Sequence, residues 1–281
     1  MLKDKIEYSI SLLKKAEKLA LTMSDKGFYL AFSGGKDSQC LYHIAKMAGV
    51  KFEAHFSLTT FDPPELVHFI KDNYPDVIIE RPPLSFLQLC IKKKMLPTMR
   101  VRFCCAVLKE QGGAGTVTLI GIRNQESARR SGRKEVETKG GKFVGTLDQF
   151  NRYKETEINC VKGKDKILIS PIISWTNNDV WTFIRSNKIP YCKLYDEGYT
   201  RIGCLFCPMS SLKSIRRDEI RFPKYKIALI KTIDKMLKNG CYSDLSDQFE
   251  NLTANDLYEA WISKEKLVGF LTKKRDQFNI F

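Results

Sequence analysis

A glycine-containing turn near the N-terminus has residue types that suit phosphate binding. An apolar run, Phe28 to Phe32, predicts a buried strand before the turn, and Gln39 to Ala48 predicts a helix after it. The unpaired amides of a first helical turn point back at the preceding residues and form an anion site. Glycines let a phosphate approach the main chain closely, while lysine adds charge and serine adds hydroxyl groups. We therefore predict a phosphate site at Ser33, Gly34, Gly35, Lys36, Asp37 and Ser38.

Asp37 would repel a bare phosphate, so we expect it to help hold a magnesium ion between phosphates. The Gly-x-x-x-x-Gly-Lys-Ser/Thr spacing of a Walker A loop is missing from this turn. A glycine-rich turn between any strand and helix is the simpler alternative. The full hexapeptide at a strand-to-helix junction favours the phosphate site.

Two pairs of cysteines form the second candidate site. Cys104 and Cys105 are adjacent, and Cys204 and Cys207 form a Cys-x-x-Cys pair about a hundred residues later. Four thiolates suit either zinc or a [4Fe–4S] cluster, and their number alone does not decide between the two. An adjacent pair fits one tetrahedral zinc poorly, whereas its two sulfurs can reach different irons of a cluster. Two unrelated sets of buried thiols are the remaining alternative.

The hexapeptide resembles the pyrophosphate loop of the ATP pyrophosphatase superfamily, which includes PAPS and APS reductases, tRNA thiolases and the ATP-using subunit of DNA phosphorothioation systems. The cysteine pattern is similar to that of assimilatory APS reductases and of the phosphorothioation subunit, in which four cysteines hold a [4Fe–4S] cluster. The resemblance covers roughly residues 25 to 210. It implies ATP and Mg²⁺ at the loop and a [4Fe–4S] cluster on the four cysteines, with zinc as the alternative occupant.

A third segment, Gly121 to Arg130, resembles the family's Gly-Ile-Arg…Glu-Ser…Arg motif. The resemblance implies that its arginines bind phosphates or the acceptor backbone, and that Lys36, Asp37 and Arg123 serve catalysis. The nucleotide-binding residues that it implies here are Gly121, Arg123, Arg129 and Arg130. A solvated basic loop is the alternative, and Glu126 can position one of the arginines instead. Trp175 and Trp181, in a further family-like segment, are expected in the core.

One departure from the family pattern disfavours a reductase. APS and PAPS reductases carry a catalytic cysteine in a C-terminal Glu-Cys-Gly-Leu-His motif, which the segment Lys273 to Phe281 does not contain. We interpret the last cysteine, Cys241, as incidental because its surroundings differ from that motif. Without the nucleophile the chemical step of reduction is lost.

The elements that must position these residues alternate between strands and helices. This alternation predicts an α/β fold with a parallel sheet covered by helices on both faces, of the adenine nucleotide α-hydrolase type, plus a helical C-terminal extension. Ligands of such sheets bind at the carboxyl ends of the strands. We expect a nucleotide-binding domain over residues 1–210 and the extension over 211–281. The predicted strands are 28–32, 52–56, 77–79, 117–120 and 167–169. The predicted helices are 3–23, 39–48, 64–74 and 223–238, and residues 255–270 predict one or two more helices.

The polar stretch between Arg123 and Lys166 allows two interpretations. It is net positive and contains Gly140 and Gly141 in its middle. Such stretches are usually solvated excursions. A substrate-covering loop is the alternative, because the stretch begins beside a strand end.

The composition bounds the class of protein. The 43% hydrophobic and 28% charged residues are ordinary for a soluble globular protein, and the formal charge of +15 favours a polyanionic partner such as DNA or RNA. A generally lysine-rich surface is the alternative. With no apolar run long enough to span a membrane and no signal-peptide core, we expect a cytoplasmic protein without a membrane partner. Nine cysteines in a reducing compartment then indicate metal binding or catalysis rather than disulfides.

Three hypotheses for function follow. The first is an ATP pyrophosphatase that adenylates a nucleic-acid oxygen for sulfur insertion, of the DNA phosphorothioation type, with a cysteine desulfurase as partner and a homo-oligomer possible. Thiolation of tRNA is a close variant of this hypothesis. The second is an APS or PAPS reductase, and the third is a non-catalytic nucleotide sensor. The intact loop counts against the sensor, and the absent cysteine motif counts against the reductase.

Overall fold

Seven strands form one sheet in the computed structural model, which describes residues 1–138, 142–156, 166–249 and 251–278. The order of strands across the sheet is β3-β2-β1-β4-β7-β5-β6. The strands are β1 (Phe28–Ala31), β2 (Phe52–Ser57), β3 (Ile78–Glu80), β4 (Val117–Leu119), β5 (Val136–Thr138), β6 (Val144–Gly145) and β7 (Ile167–Ile169).

The five predicted strands form the parallel part of the sheet. Strand β1 pairs in parallel with β2 and β4, and β2 with β3 and β4 with β7 pair in the same way. Leu30 in the centre is aligned with Ala54 on one side and Leu119 on the other, and all three side chains are buried. Because parallel strands end at the same edge, the turn after β1 and the segment after β4 start side by side. The α/β prediction is confirmed.

The polar stretch 124–166 contains regular structure that the sequence analysis did not predict. Strands β5 and β6 pair antiparallel to each other, and β5 pairs antiparallel to β7, so the sheet is mixed. Val136 is aligned with Ile169 and is fully buried, which anchors this hairpin to the sheet. Strands β5 (Val-Glu-Thr) and β6 (Val-Gly) contain no apolar run of the kind that predicts β3 and β7. Residues 139–141, which include Gly140 and Gly141, and 157–165 lie outside the described residues.

The predicted helices are confirmed with small differences in their bounds, and the segment 255–270, predicted as one or two helices, contributes to two, Ala254–Ser263 and Leu267–Phe278. The second helix begins at Lys36 rather than at Gln39, because Gly35 is its N-cap residue. The α-helices are α1 (Leu2–Met23), α2 (Lys36–Ala48), α3 (Pro64–Asn73), α4 (Phe86–Lys93), α5 (Phe103–Leu108), α6 (Ala128–Ser131), α7 (Leu147–Thr156), α8 (Asn177–Ser186), α9 (Leu212–Arg221), α10 (Pro223–Lys238), α11 (Ser243–Gln248), α12 (Ala254–Ser263) and α13 (Leu267–Phe278). Helix α2 packs against both α1 and α8.

The chain divides into two compact units. The first comprises residues 1–57, 64–81 and 111–202 and contains the whole sheet. The second comprises residues 58–63, 82–110 and 203–281 and is helical, with Phe206, Leu229 and Tyr258 among its buried side chains. The expected domain boundary between residues 210 and 211 stays a prediction. None of the helices in the described parts of the chain has the length and apolar character needed to cross a bilayer.

Two glycines of the first unit have left-handed backbone conformations with different surroundings. Gly27, just before β1, has φ +76°, and a methyl group there would lie 2.1 Å from the Lys51 carbonyl oxygen. Gly49 ends helix α2 with φ +68° and has open space where a side chain would be. Of these two positions, only position 27 requires glycine both for its φ angle and for a close approach of main-chain atoms.

We expect Gly27→Ala to lower the free energy of unfolding by about 1–3 kcal/mol more than Gly49→Ala. Both substitutions place alanine in the left-handed region, which costs about 1 kcal/mol, but only the first also collides with main-chain atoms. Urea titrations followed by circular dichroism measure the difference. Equal losses in the two variants would show that the contact with Lys51 relaxes without cost.

Candidate functional site

The turn after β1 requires glycine at only one of its two glycine positions. Gly34 has φ +69°, and a methyl group there would lie 2.7 Å from the Ile70 Cδ1 atom and 2.8 Å from Leu66 Cδ1 on helix α3. Gly35 has an ordinary φ of −78°, and a methyl group there would have no contact shorter than 3.4 Å. Gly34 therefore permits the tight reversal, whereas Gly35 keeps the start of the helix free of side-chain bulk.

Hydrogen bonds of the two serines close the turn. The Ser33 N–H donates to the Ser38 hydroxyl at 3.1 Å, and that hydroxyl donates to the Gly35 carbonyl at 2.9 Å. The Ser38 hydroxyl is thus used inside the turn, where it holds the two ends of the hexapeptide together. Residues 36–38 form the first turn of helix α2, so half of the predicted loop is helical.

Lys36 is buried at the start of α2 and is held by two residues of the segment after α8. Its ammonium lies 3.3 Å from the Thr200 carbonyl oxygen and 3.2 Å from the Asp37 carboxylate. Its main-chain N–H donates to the Tyr195 hydroxyl at 2.8 Å. The Lys36 side chain is 5% exposed, so its charge acts where water screens it little.

The Asp37 carboxylate lies between two cations. Its Oδ1 atom accepts a hydrogen bond from Arg123 Nε at 2.6 Å, and its Oδ2 atom faces the Lys36 ammonium. Arg123 is 3% exposed and also donates to the Trp175 carbonyl at 3.3 Å. Both carboxylate oxygens are therefore engaged, and the expected magnesium role of Asp37 stays a prediction. The described residues contain no group of three or more His, Cys, Asp or Glu side chains that could hold a metal ion.

Gly121 brings the end of β4 against the start of helix α2. A methyl group at Gly121 would lie 3.0 Å from the Asp37 carbonyl oxygen and 3.1 Å from the Ser38 nitrogen. Only a residue without a side chain fits this approach without a shift of the backbone. The close contact lets Arg123, two residues further on, reach Asp37.

Arg130 is placed differently from Arg123. Arg130 forms an ion pair with Glu126. The Glu126 carboxylate also accepts a hydrogen bond from the main-chain N–H of Arg123 at 2.8 Å. Glu126 therefore positions the arginine segment, which is the alternative role named for it above. The side chain of Arg129 lies outside the described residues.

Taken together, this site is built to hold an anion. Two buried cations share one carboxylate, which leaves a net positive charge at the N-terminus of α2. The first helical amides lack intrahelical partners, and those of Asp37 and Ser38 add their partial positive charges to the same place. An arriving phosphate would compete with Asp37 for Lys36 and Arg123. The arrangement can bind a pyrophosphate group and polarise its oxygens.

The four predicted cysteines all belong to the second compact unit. Helix α5 carries Cys104 and Cys105, and a hydrogen bond between them lowers the pKa of Cys105 to about 6 and raises that of Cys104. Cys204 and Cys207 also raise the pKa of Cys104, which shows that both pairs lie within electrostatic range. The structure thus brings together thiols that are about a hundred residues apart in sequence.

The turn that carries Cys204 and Cys207 is held in an unusual conformation. Phe206 has φ +52°, and its N–H donates to the buried Asp218 carboxylate at 3.2 Å. The N–H of Leu205 donates to the Phe61 carbonyl at 2.8 Å. These two hydrogen bonds hold the main chain of the turn that carries the two cysteines.

Lys109 is a residue of the cysteine site that the sequence analysis missed. Burial lowers its pKa, but the charges of Cys204 and Asp62 and a hydrogen bond to Cys204 outweigh burial, so the pKa is raised. The Lys109 side chain is exposed to solvent. Burial raises the pKa of Cys207, and the Lys109 charge acts against that rise, just as it helps to lower the pKa of Cys105.

The donor set fits a thiolate-bound metal or cluster, although the thiols are not arranged as a formed metal site. Four thiols and one cation at the same place have the chemistry that zinc or iron requires. As stated above, the described side chains do not form a ready group of three ligands. The [4Fe–4S] cluster and its alternative, zinc, therefore stay predictions for Cys104, Cys105, Cys204 and Cys207.

Tyr195 and Thr200 are further site residues that the sequence analysis did not identify as such. They contact Lys36 across 159 and 164 residues of sequence, so no local pattern could reveal the contacts. Trp175 is buried in the core, as expected, whereas Trp181 is only half-buried.

Most of the chain is similar in sequence to a known protein family. The phosphoadenosine phosphosulfate reductase domain family matches residues 27–210. An uncharacterised protein of Methanocaldococcus jannaschii is 27% identical over 212 residues, which make up 71% of this chain and 40% of that protein. Adenosine 5'-phosphosulfate reductase 2 of Bacillus subtilis is 30% identical over 155 residues, 52% of this chain and 56% of the relative. The chain thus spans about half the length of the curated relatives it matches.

Among solved structures, the phosphoadenylyl-sulfate (PAPS) reductase from Candida auris aligns with a TM-score of 0.45. The sequence identity is 17%, and the alignment covers 71% of this chain and 93% of the reductase.

We expect Asp37→Asn to lower the free energy of unfolding by about 2 kcal/mol. The substitution leaves the buried Arg123 guanidinium without a charged partner, and its remaining described bond is to the Trp175 carbonyl. Urea unfolding measures the loss, and Asp25→Asn, at an exposed position, is the matched control. A loss no larger than that of the control would contradict the importance of the Asp37–Arg123 pair.

We expect Cys204→Ser to reduce the iron and sulfide content of anaerobically purified protein to well below that of the parent chain. Removal of one of four thiolates takes away a ligand that serine replaces poorly. Metal analysis for iron and zinc together with a sulfide assay tests this, with Cys241→Ser as the control cysteine of the same unit. Full iron and sulfide content in the Cys204→Ser protein would refute the cluster assignment.

Proposed function

The chain belongs to the phosphoadenosine phosphosulfate reductase domain family, and we propose that it is an ATP pyrophosphatase that adenylates a nucleic-acid oxygen for sulfur insertion. DNA phosphorothioation is the reaction type, and DNA or RNA is the acceptor. The proposal rests on the anion site at the start of α2. Its two buried cations and free helical amides suit the β- and γ-phosphates of ATP, the part that leaves as pyrophosphate.

In the first step, an oxygen of the acceptor attacks the α-phosphorus of ATP. A bond forms between that oxygen and the phosphorus, and the bond to the β-phosphate oxygen breaks, which releases pyrophosphate. Lys36 and Arg123 neutralise the charge that gathers on the leaving pyrophosphate. Asp37 holds these two cations in place before the nucleotide arrives.

In the second step, sulfide replaces the activated oxygen. The sulfide attacks the backbone phosphorus to which the adenylylated oxygen is bonded. A bond forms between sulfur and that phosphorus, the bond between the phosphorus and the oxygen breaks, and the oxygen leaves as part of AMP. Adenylation thus turns a poor leaving group into a good one. We propose that a cysteine desulfurase supplies the sulfur as a persulfide, and that a thiol reductant supplies the two electrons that release it as sulfide.

The four cysteines would hold a metal centre. A [4Fe–4S] cluster, if bound by Cys104, Cys105, Cys204 and Cys207, would supply the electron-transfer chemistry of iron–sulfur centres. Lys109 beside them favours the thiolate forms that such a group requires. These residues are brought together by helix α5 and the turn at 204–207.

The charge distribution supports a nucleic-acid acceptor. The chain has 47 Lys and Arg against 32 Asp and Glu, for a formal charge of +15. Helix α10 has an exposed face with Lys224, Lys231 and Lys235, and within the described parts of the chain none of these three has an ion-pair partner. Their spacing of seven and four residues places them along one side of the helix. Such a row suits the phosphates of a nucleic-acid backbone.

Reduction of adenosine 5'-phosphosulfate is the second candidate function. The observation in its favour is the 30% identity to the Bacillus subtilis reductase over 155 residues. The same anion site would bind the phosphosulfate group of that nucleotide. Sulfite formation from adenosine 5'-phosphosulfate, with a thiol reductant, distinguishes this activity from pyrophosphate release.

We expect the anaerobically purified chain to release pyrophosphate from ATP in the presence of Mg²⁺. The release should be faster when DNA or RNA is added. Lys36→Ala should slow the release about 100-fold or more, because it removes a buried cation from the leaving group. A coupled pyrophosphate assay measures both rates.

Lys14→Ala, at an exposed position of α1, is the matched control and should release pyrophosphate at the parental rate. The iron content of the Lys36→Ala protein should be unchanged, because Lys36 and the cysteines have separate roles. Sulfite production in place of pyrophosphate release would replace the proposed function with the second candidate. Release that is unaffected by Lys36→Ala would refute the assignment of the anion site.

A further inference from the structure

A depression in the first unit lies between helix α8 and the segment 191–200 and has a volume of about 460 Å³. Asn177, Trp181 and Arg185 line it from the helix, and their spacing of four residues places them on one face. Tyr191 and Tyr195 line it from the opposite side. This volume is in the usual range for small-molecule sites, which is roughly 300–1,000 Å³.

Three aromatic rings meet in this depression without stacking on one another. The Trp181 ring stands at 85° to the Tyr191 ring and at 89° to the Tyr195 ring, with centroids 5.4 and 5.0 Å apart. Trp181 is half-buried, whereas a core tryptophan such as Trp175 is 1% exposed. Rings that meet edge to face in an accessible corner suit a ligand with a flat aromatic ring.

Arg185 adds a positive charge at one side of the corner. Its guanidinium lies 5.7 Å from the centre of the Trp181 ring. Arg185 is exposed, and it forms no ion pair with a carboxylate in the part of the chain that the structure describes. The carboxylate of Asp196, which also lines the depression, accepts a hydrogen bond from the Tyr191 hydroxyl at 3.1 Å. An aromatic corner with a cation beside it fits a base together with its phosphate.

The depression shares two residues with the anion site. Tyr195 accepts the Lys36 N–H through its hydroxyl, and the Thr200 carbonyl accepts a hydrogen bond from the Lys36 ammonium. Both residues also line the depression. A ligand bound there therefore lies next to the place where the phosphates of the nucleotide are expected, which is where an acceptor group must approach.

We propose that this depression binds one nucleotide of the acceptor strand, with its base against Trp181 and Tyr191 and a backbone phosphate at Arg185. This inference rests on the proposed function, because it names where the acceptor binds. Stacking on aromatic side chains tolerates any base, since every base has a flat face. The site would hold a single-stranded or extruded nucleotide, because a base inside a duplex cannot stack on a side chain.

Tryptophan fluorescence gives a direct test, because the chain has three tryptophans in different surroundings. Trp175 is buried, and Trp261 donates its indole N–H to the Pro97 carbonyl in the second unit. We expect a single-stranded oligonucleotide to quench the fluorescence of the parent chain and of Trp261→Phe. The quenching should be lost in Trp181→Phe, which removes the reporter and keeps an aromatic ring.

Fluorescence polarisation with a labelled oligonucleotide measures the affinity itself. Trp181→Leu should weaken binding about 10-fold, whereas Trp181→Phe should bind nearly as tightly as the parent chain. An abasic oligonucleotide of the same length should bind the parent chain about as weakly as the normal strand binds Trp181→Leu. Arg185→Gln should weaken binding of both oligonucleotides, because a phosphate contact does not depend on the base. Circular dichroism melting confirms that each variant is folded.

Several results would overturn the inference. Equal affinity for the normal and the abasic strand would show that no base is bound at Trp181. Quenching by ATP alone, lost in Trp181→Phe, would assign the depression to the adenine of the nucleotide instead. If the chain releases pyrophosphate but binds the normal and the abasic strand equally tightly, this inference alone is refuted. If it binds the normal strand more tightly but releases no pyrophosphate, only the proposed function is refuted.

Discussion

The first unit depends on a half-buried carboxylate placed between two buried cations. Asp37 pairs with Lys36 and Arg123, and each of the two cations is at most 5% exposed. Neither cation could be buried without a charged partner, because an unpaired charge in a protein interior is strongly unfavourable. The single negative charge of Asp37 nevertheless balances only one of the two positive charges, so one positive charge remains. The same interaction therefore stabilises the start of α2 and keeps it attractive to an anion.

This interaction also explains the positions of the small residues around it. Gly34 lets the turn pass under helix α3, and Gly121 lets the end of β4 approach the main chain of α2. Strands β1 and β4 are neighbours and run in parallel, so their ends supply Lys36 and Arg123 to one place. The parallel pairing thus converts two segments that are distant in sequence into one site.

The proposed sulfur chemistry and the proposed nucleotide binding belong to different compact units of the chain. The anion site and the aromatic depression belong to the unit that contains the sheet, and the four cysteines with Lys109 belong to the helical unit. Within the first unit, Tyr195 and Thr200 connect the anion site to the depression through their contacts with Lys36. A phosphate site and an adjoining aromatic corner are the two features that an enzyme needs in order to activate one group of a strand while it holds a neighbouring base.

The sequence by itself determined the strand, turn and helix around residues 28–48 and the parallel core, and it singled out the four cysteines as one candidate metal site. The strands and helices follow from local hydrophobic periodicity, and the candidate site follows from the spacing of the cysteines. The hairpin of β5 and β6 was not predicted because its strands contain no apolar run. Only the tertiary structure showed that Asp37 holds Arg123 across 86 residues, and that Tyr195 and Thr200 hold Lys36 across 159 and 164. Such contacts depend on how strands and helices are arranged in space, and a local pattern of residues carries no information about that arrangement.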